Sequence, residues 1–250
     1  MSSSATYTLI TGASSGIGRE TAIKLAAARR LILHGRDVAR LTASREACPS
    51  PENHLIWPFD LKEVDQLEAS LSQLLGAEKL PVDAFVHCAG AVQVAPLRQL
   101  ELPAARELMN VNFFSAVEIS RLLMTRRINQ KHLRRVVFVS STASQFGARG
   151  FQMYCATKAA LDGFMRAIAV ELAPQVRVNS VLPGAVQTPM ADQLLGDSAV
   201  RERMSAVYPL GLGQPADVAG VIEFLLSDNA NWITGQQIVV DGGRSINHTA

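Results

Sequence analysis

Cysteine is scarce in the 250 residues: Cys48, Cys88 and Cys155 are the only three, and no two share a short metal-ligand spacing. An odd count in a chain this long argues against a disulfide framework and predicts reduced thiols in a reducing compartment. No metal site is expected. No apolar run approaches the roughly 20 residues of a membrane span. The opening residues, Met1 to Thr6, are small and polar, with no basic or apolar stretch behind them, so no export signal is expected. A soluble, cytoplasmic protein with no membrane partner is the expectation. Net charge is also small, +2, which gives no ground for a nucleic-acid partner. The basic bunch at Arg126, Arg127, Lys131, Arg134 and Arg135 reads as a solvated helix end near the negative pole of the helix dipole. Repeats, low-complexity tracts and linkers are absent too, so residues 1–250 are expected to form one domain.

What is present is alternation. Apolar runs of strand length occur at 7–11, 31–34, 54–58, 84–87, 136–140, 176–182 and 237–240. The third is weakened by Pro58, which suits only a strand end. Between them lie segments of helical spacing: 16 to about 28, then 62–75 with Leu67, Leu71, Leu74 and Leu75 on one face, 103 to about 127 as one long helix, and 154 to about 173. Strands that are apolar on both faces and alternate with helices predict an α/β, doubly wound parallel sheet of about seven strands, with helices on both faces. A closed eight-stranded β/α barrel has a similar alternation. The count of seven and the glycine turn after the first run count against it.

That turn reads Thr11-Gly12-Ala13-Ser14-Ser15-Gly16-Ile17-Gly18 and opens the first helix. Glycine spacing alone is weak evidence, but its place between the first strand and a helix is what a phosphate loop needs. Gly12 permits the tight turn, Gly16 lets backbone approach a pyrophosphate, and Gly18 lets the helix pack closely. The helix N-terminus then offers unpaired N–H groups to the anion. Gly12, Ser14, Ser15, Gly16, Ile17 and Gly18 are therefore candidate cofactor contacts. A ligand-free glycine turn is the plainer alternative.

Further on, Tyr154 and Lys158 stand four apart in a helical pattern and so share one face. Ser141 ends the fifth apolar run, thirteen residues before Tyr154, at the sheet edge where ligands bind. Asn112 lies in the long helical segment, with Asn110 two residues away. Groups so placed suit proton transfer at a hydroxyl, which needs a tunable acid or base. A free tyrosine, with a pKa of about 10, stays protonated at neutral pH and is no base there. A nearby Lys158 cation is expected to lower that pKa. Ser141 would hold the reacting oxygen beside the phenol.

The TGxxxGxG turn, with Asn112, Ser141, Tyr154 and Lys158 as an Asn–Ser–Tyr–Lys tetrad, resembles the short-chain dehydrogenase/reductase family, and the 3-oxoacyl-carrier-protein reductases in particular. The resemblance covers nearly the whole chain. It implies hydride transfer with a nicotinamide whose oxidised ring also lowers the Tyr154 pKa, that Lys158 also bonds the nicotinamide ribose, and that Asn112 holds a water relaying protons from the lysine. It implies adenine contacts from Asp60 and Leu61, and cofactor contacts from Ala89 and Gly90. It also implies a nicotinamide loop at Pro183, Gly184, Val186 and Thr188. His87 and Cys88 depart from the pattern, standing where the family has two asparagines, which puts the usual bracing of that strand in doubt. A lone histidine at a strand end is more often structural than catalytic.

For the choice of nicotinamide, the second strand ends Leu33-His34-Gly35-Arg36-Asp37. Gly35 stands where an NAD-selective carboxylate is expected, and Arg36 suits a 2′-phosphate. Asp37 reads as the cap of the next helix. NADP(H) is therefore the expected cofactor, with NAD(H) not excluded. Substrate contacts are expected from 142–153 and from a helical lid at about 189–213, which mixes Met190, Leu194, Leu195 and Met204 with Arg201 and Arg203. Arg149 reads as solvent-facing. The expected function is interconversion of an alcohol and a carbonyl, with a 3-oxoacyl thioester as the nearest substrate class. A non-catalytic NADP(H)-binding sensor or scaffold is the alternative, disfavoured by the intact tetrad. By resemblance, the partners are a small-molecule substrate and further copies of the chain, as a tetramer or dimer.

Overall fold

The computed structural model describes residues 6–78 and 80–247, without the side chains of 77, 78 and 193–195. The expected leader-free start at Met1–Ala5 therefore lies outside the described residues.

Seven strands form one parallel sheet: β1 (Tyr7–Thr11), β2 (Arg30–Gly35), β3 (Leu55–Pro58), β4 (Val82–His87), β5 (Arg135–Val139), β6 (Arg177–Pro183) and β7 (Gln237–Val240). Their order across the sheet is β3-β2-β1-β4-β5-β6-β7. The expected doubly wound sheet is observed, and its two open edges, β3 and β7, rule out the closed barrel. Pro58 ends the edge strand β3 beside Gly35, where its missing N–H leaves no central ladder bond unmade.

Successive strand residues face opposite sides, and each side meets its own helices. Leu9, Phe85, Val136 and Phe138 join a core with α3 (Leu67–Glu78), α5 (Ser115–Met124) and α7 (Gln152–Leu172). Ile10, Val86, Val137 and Val139 join the other, with α1 (Gly16–Leu25), α2 (Val38–Glu46) and α10 (Pro215–Leu226). Leu67, Leu71 and Leu75 are fully buried and Leu74 partly so, as the helical spacing predicts.

The long helix expected from 103 to about 127 is broken. It runs as α4 (Leu102–Met109), a single π turn at Asn110–Phe114, α5, and, after extended backbone at Thr125, the short α6 (Arg126–Asn129). Apolar spacing cannot reveal a π turn, which inserts one residue without ending the helix. Other ends move by a few residues. The first helix stops at Leu25, the third begins at Leu67, and β5 ends at Val139 rather than Ser140.

The basic bunch is not one helix end. Arg126 and Arg127 lie on α6, but Arg135 is on β5 and pairs with Asp83 at 3.0 Å and Asp228 at 3.0 Å. Arg127 pairs with Glu68 at 2.5 Å. Among the described residues, no helix is long and apolar enough to cross a membrane.

The order reverses between β1 and β4, so the loops leaving their carboxyl ends diverge and open a crevice. Thr11 and His87 are in register there.

Candidate active site

Gly12 leaves β1 with φ +69°, and a Cβ on it would stand 2.8 Å from the Cα and N of Ala89. Only glycine lets the turn pass so close to the loop after β4. A Cβ on Gly18 would stand against the carbonyl of Gly12, so α1 sits directly on the turn. Ser15 places no side chain over the helix start, and the first N–H groups of α1 remain available to an anion. Gly12, Ser14, Ser15, Gly16, Ile17 and Gly18 line one cleft together with Arg36, Asp60, Leu61, Ala89, Gly90 and Thr188. Twelve of the predicted positions thus converge there. The free amides and the close-packed glycine turn fit a dinucleotide pyrophosphate.

The cleft also takes in His34, Arg40 and Lys62, which the sequence motifs do not single out. Asp37 caps α2 by accepting from Arg40 N at 3.0 Å, as its position predicts. This turn brings Arg40, four residues after Arg36, to the same end of the cleft. Arg36 extends into solvent, 3.9 Å from Asp60, and Asp60 also accepts from Lys62 N at 3.0 Å.

Pro183, Gly184 and Val186 fall outside this cleft. Pro183 ends β6 and Val186 is buried. A Cβ on Gly184 would stand 2.8 Å from Asp241 and Tyr208, so packing alone demands glycine there. Thr188 Oγ1 caps the next helix, α8 (Pro189–Leu195), by accepting from Ala191 N at 3.2 Å. The expected lid is two short helices, α8 and α9 (Ser198–Ala206). The side chains of Leu194 and Leu195 lie outside the described residues.

Ser141 does not end a strand. It caps the one-turn helix Thr142–Ser144, with Oγ accepting from Ala143 N at 3.1 Å. That leaves its hydroxyl proton free to donate elsewhere, and it reaches Tyr154. Tyr154 and Lys158 share the first turns of α7, with Nζ 5.8 Å from the phenol ring centre. Lys158 is buried, and Nζ donates to Val139 O at 2.8 Å. Burial pulls its pKa down to about 8, against the opposing pull of Asp162 and Cys88.

The expected lowering of the Tyr154 pKa is not produced by the chain's own groups. Burial raises it, the Ser141 hydrogen bond opposes that rise, and Cys155 adds to it. The physical reason is desolvation: an anionic phenolate in this wall loses water, and the Ser141 hydrogen bond offsets only part of that loss.

Asn112 is fully buried in the π turn. Its carboxamide accepts from Ala91 N at 2.8 Å and donates to Ala91 O at 2.9 Å and to Thr157 Oγ1 at 3.0 Å. Asn110 instead donates to Lys62 O at 2.9 Å, away from the tetrad. A Cβ on Gly90 would meet Lys158 Nζ at 3.6 Å and Asn112 Oδ1 at 3.7 Å. Gly90 therefore joins the phosphate cleft to the lysine and the asparagine. Arg149 is exposed, as expected.

Residues 12–245 match the family model described as enoyl-(acyl carrier protein) reductase. The chain is 35% identical over 238 residues to D-erythrulose reductase of Gallus gallus, covering 94% of both chains. It is 34% identical to L-xylulose reductase of Bos taurus, with the same coverage of both. It is 32% identical over 243 residues to a 3-oxoacyl-[acyl-carrier-protein] reductase of Thermotoga maritima, covering 94% of this chain and 96% of that one. Among solved structures, a short-chain type dehydrogenase/reductase from Mycobacterium ulcerans superposes with a TM-score of 0.86 at 30% identity, over 98% of this chain and 90% of that one. A variant actinorhodin polyketide ketoreductase with NADPH gives 0.87 at 26% identity, over 96% and 97%. A 4-hydroxyisoleucine dehydrogenase mutant complexed with NADH and succinate gives 0.88 at 26%, over 96% and 98%. The chain belongs to the short-chain dehydrogenase/reductase family. It is an NAD(P)-dependent oxidoreductase acting on an alcohol/ketone pair.

Proposed function

We propose that the chain is an NADP(H)-dependent carbonyl reductase in which Tyr154 transfers the proton. The observation that carries this is the meeting at Gly90 of the phosphate cleft with Lys158 and Asn112, one helical turn from Tyr154 and its partner Ser141. When bound, the nicotinamide supplies or accepts the hydride. With its pKa raised, Tyr154 holds its proton at neutral pH and serves as the acid that protonates the carbonyl oxygen. Ser141, its oxygen engaged by Ala143, donates its own hydroxyl proton and holds that same oxygen in place. Lys158 keeps one N–H on Val139 O and turns the others toward the cofactor ribose and Asn112. Asn112 keeps open the route by which protons return to the phenol.

The glycine turn and α1 hold the pyrophosphate, and Asp60 and Leu61 flank the adenine. Pro183, Gly184, Val186 and Thr188 border the nicotinamide. Arg36 and Arg40 take the 2′-phosphate of NADP(H), since among the described residues neither is locked into a close ion pair that would compete. The likeness to an NADPH-bound ketoreductase supports NADP(H), while the NADH-bound dehydrogenase marks NAD(H) as the alternative.

Residues 1–250 act as one catalytic unit, with 189–213 as its substrate lid. The chain works in the cytoplasm as a two-fold symmetric homo-oligomer, a dimer or tetramer. The unpaired Cys48, Cys88 and Cys155 support the first statement, and exposed Val170, Phe224 and Trp232 support the second. Small ketoses and 3-oxoacyl thioesters are the two substrate classes its relatives put forward.

The test follows NADPH and NADH oxidation over ketoses, 3-oxoacyl thioesters, steroids, quinones and small ketones, in wild type and Tyr154→Phe. The reading requires turnover with NADPH in the wild type. It also requires a loss of about 10²–10⁴-fold in the variant, with NADPH binding kept. Tight NADPH binding without turnover on any carbonyl would replace it with a sensor or scaffold.

A further inference from the structure

Asp162 is an acidic side chain that the proposed reaction leaves unused. It lies on α7, eight residues after Tyr154 and four after Lys158, and it is only 2% exposed. Steps of four along a helix keep to one face, so Tyr154, Lys158 and Asp162 form a row. Burying a carboxylate costs free energy that an apolar side chain would not. Packing alone therefore gives no reason for an aspartate at this place.

What the carboxylate meets is Ser140, itself buried. Ser140 Oγ donates to Asp162 Oδ2 at 2.9 Å and approaches the main-chain carbonyl of Lys158 at 3.3 Å. Both partners are acceptors, so the single hydroxyl proton is shared between them, with the shorter contact to the carboxylate. Ser140 is fixed from its other side, where its N–H donates to Val181 O of β6 at 2.8 Å. Asp162 Oδ1 has no hydrogen-bond partner among the described residues, which leaves Ser140 as the group that orients the carboxylate.

Three consecutive residues at the end of β5 thus face the row on α7. Val139 O accepts from Lys158 Nζ at 2.8 Å. Ser140 Oγ bonds Asp162 and the carbonyl of Lys158. Ser141 follows directly, with the hydroxyl assigned to the reacting oxygen. Without the carboxylate, Ser140 keeps only its longer contact, to a carbonyl that already belongs to the helical ladder. Any slide or rotation of α7 on the strand end then carries Tyr154 and Lys158 together relative to Ser141.

We infer that Asp162 is a positioning residue: by its hydrogen bond with Ser140 it fixes α7 on the end of β5, and so sets where Tyr154 and Lys158 stand relative to Ser141. The inference rests on the reading of these three as the reacting groups of the proposed reductase.

Asp162→Leu keeps the branch at Cγ and removes the acceptor, and Ser140→Ala removes the donor. Activity is followed with NADPH and an acetoacetyl thioester or a five-carbon ketose, whichever turns over faster. Each variant is expected to lower kcat about tenfold, the scale of a slightly misplaced catalytic group, with the Kd for NADPH within about twofold of wild type. The double variant falls no more than about twofold below either single one, because both changes remove the same bond. Asp162→Asn, whose amide oxygen still accepts from Ser140, returns kcat to within about threefold of wild type. Wild-type kcat in both single variants would overturn the inference. So would an Asp162→Asn as slow as Asp162→Leu beside a fully active Ser140→Ala, which describes a charge rather than a bond to Ser140. A parallel loss of kcat, NADPH affinity and thermal stability in both single variants describes core residues and nothing more, and overturns it too.

Urea unfolding of wild type, the two single variants and the double decides the bond itself, whether or not turnover can be followed. Stability changes that fail to add in the double variant support the inference, and changes that add independently overturn it. Tyr154→Phe separates this failure from that of the underlying site. If that variant turns over normally, the assignment of the reacting groups is wrong, and the inference falls with it. If it is inactive while Asp162→Leu and Ser140→Ala keep full activity, only the role of Asp162 is wrong.

Discussion

Replacing Lys158 with methionine keeps a side chain of similar length in α7 and removes a buried ammonium. Its consequence for stability can be worked out from the site. The lysine titrates near 8 in the fold against 10.5 ordinarily, a gap of roughly 3 kcal/mol at about 1.4 kcal/mol per pH unit. Below pH 8 the group is charged in both folded and unfolded chains, and the fold bears the full desolvation penalty. Between pH 8 and 10.5 the folded lysine is neutral while the unfolded one still binds its proton, so stability rises with pH across that window. Methionine removes this slope. Cys88, pushed up to about 12, stays protonated in the fold across this range in both proteins, so its contribution cancels in the difference. Urea unfolding of wild type and Lys158→Met at one protein concentration, at pH 7, 8, 9, 10 and 10.5, reads this directly. The wild-type stability minus that of the variant should be flat up to pH 8 and then climb by roughly 3 kcal/mol. A difference that stays flat to pH 10.5, or falls, would refute the claim that the lysine is buried at the expense of its charge.

Gly12→Ala forces a Cβ to 2.8 Å from Ala89 at φ +69°. It should cost at least about 1–2 kcal/mol for the left-handed backbone alone, seen as a lower Tm together with weakened NADPH binding; a wild-type Tm would contradict the close approach. Asn129→Leu removes bonds to Val82 N (2.8 Å), Val82 O (2.8 Å) and Leu123 O (3.1 Å). A loss of about 2–4 kcal/mol is expected from the stranded backbone groups, and denaturant unfolding checks it. Arg36→Asp should weaken NADPH at least about tenfold more than NADH, by losing a charge-assisted contact and adding repulsion; equal weakening in fluorescence titrations would remove Arg36 from the 2′-phosphate. Arg40→Ala should shift the same ratio in the same direction by a smaller factor.

The parallel sheet, its seven strands and the glycine turn were legible in the residue order because each follows from local physics. A buried parallel strand needs an unbroken apolar run, and the turn out of β1 needs glycine for its backbone angles. Tyr154 and Lys158 were legible as a pair because four residues bring side chains to one helix face. The convergence of twelve predicted positions on one cleft followed from the same pattern, since strand ends in such a sheet gather at one edge.

Other features depended on neighbours far apart in sequence. The π turn at Asn110–Phe114 leaves no mark on apolar spacing, yet it sets Asn112 on Ala91 and Thr157 and Asn110 on Lys62. Ser141 read as a strand end and proved to be the cap of a one-turn helix, because the register of β5 with β6 ends at Val139. Arg40 joins Arg36 only because Asp37 starts α2 between them.

The residue order by itself determined the fold class, the phosphate turn and the identity of the four candidate catalytic groups. Those rest on backbone angles and periodicities that a few consecutive residues settle. The sign of the Tyr154 shift and the depressed Lys158 were decided only by the tertiary structure. A pKa depends on which groups surround a side chain and on how much water they exclude, and packing across the β1–β4 crevice sets both.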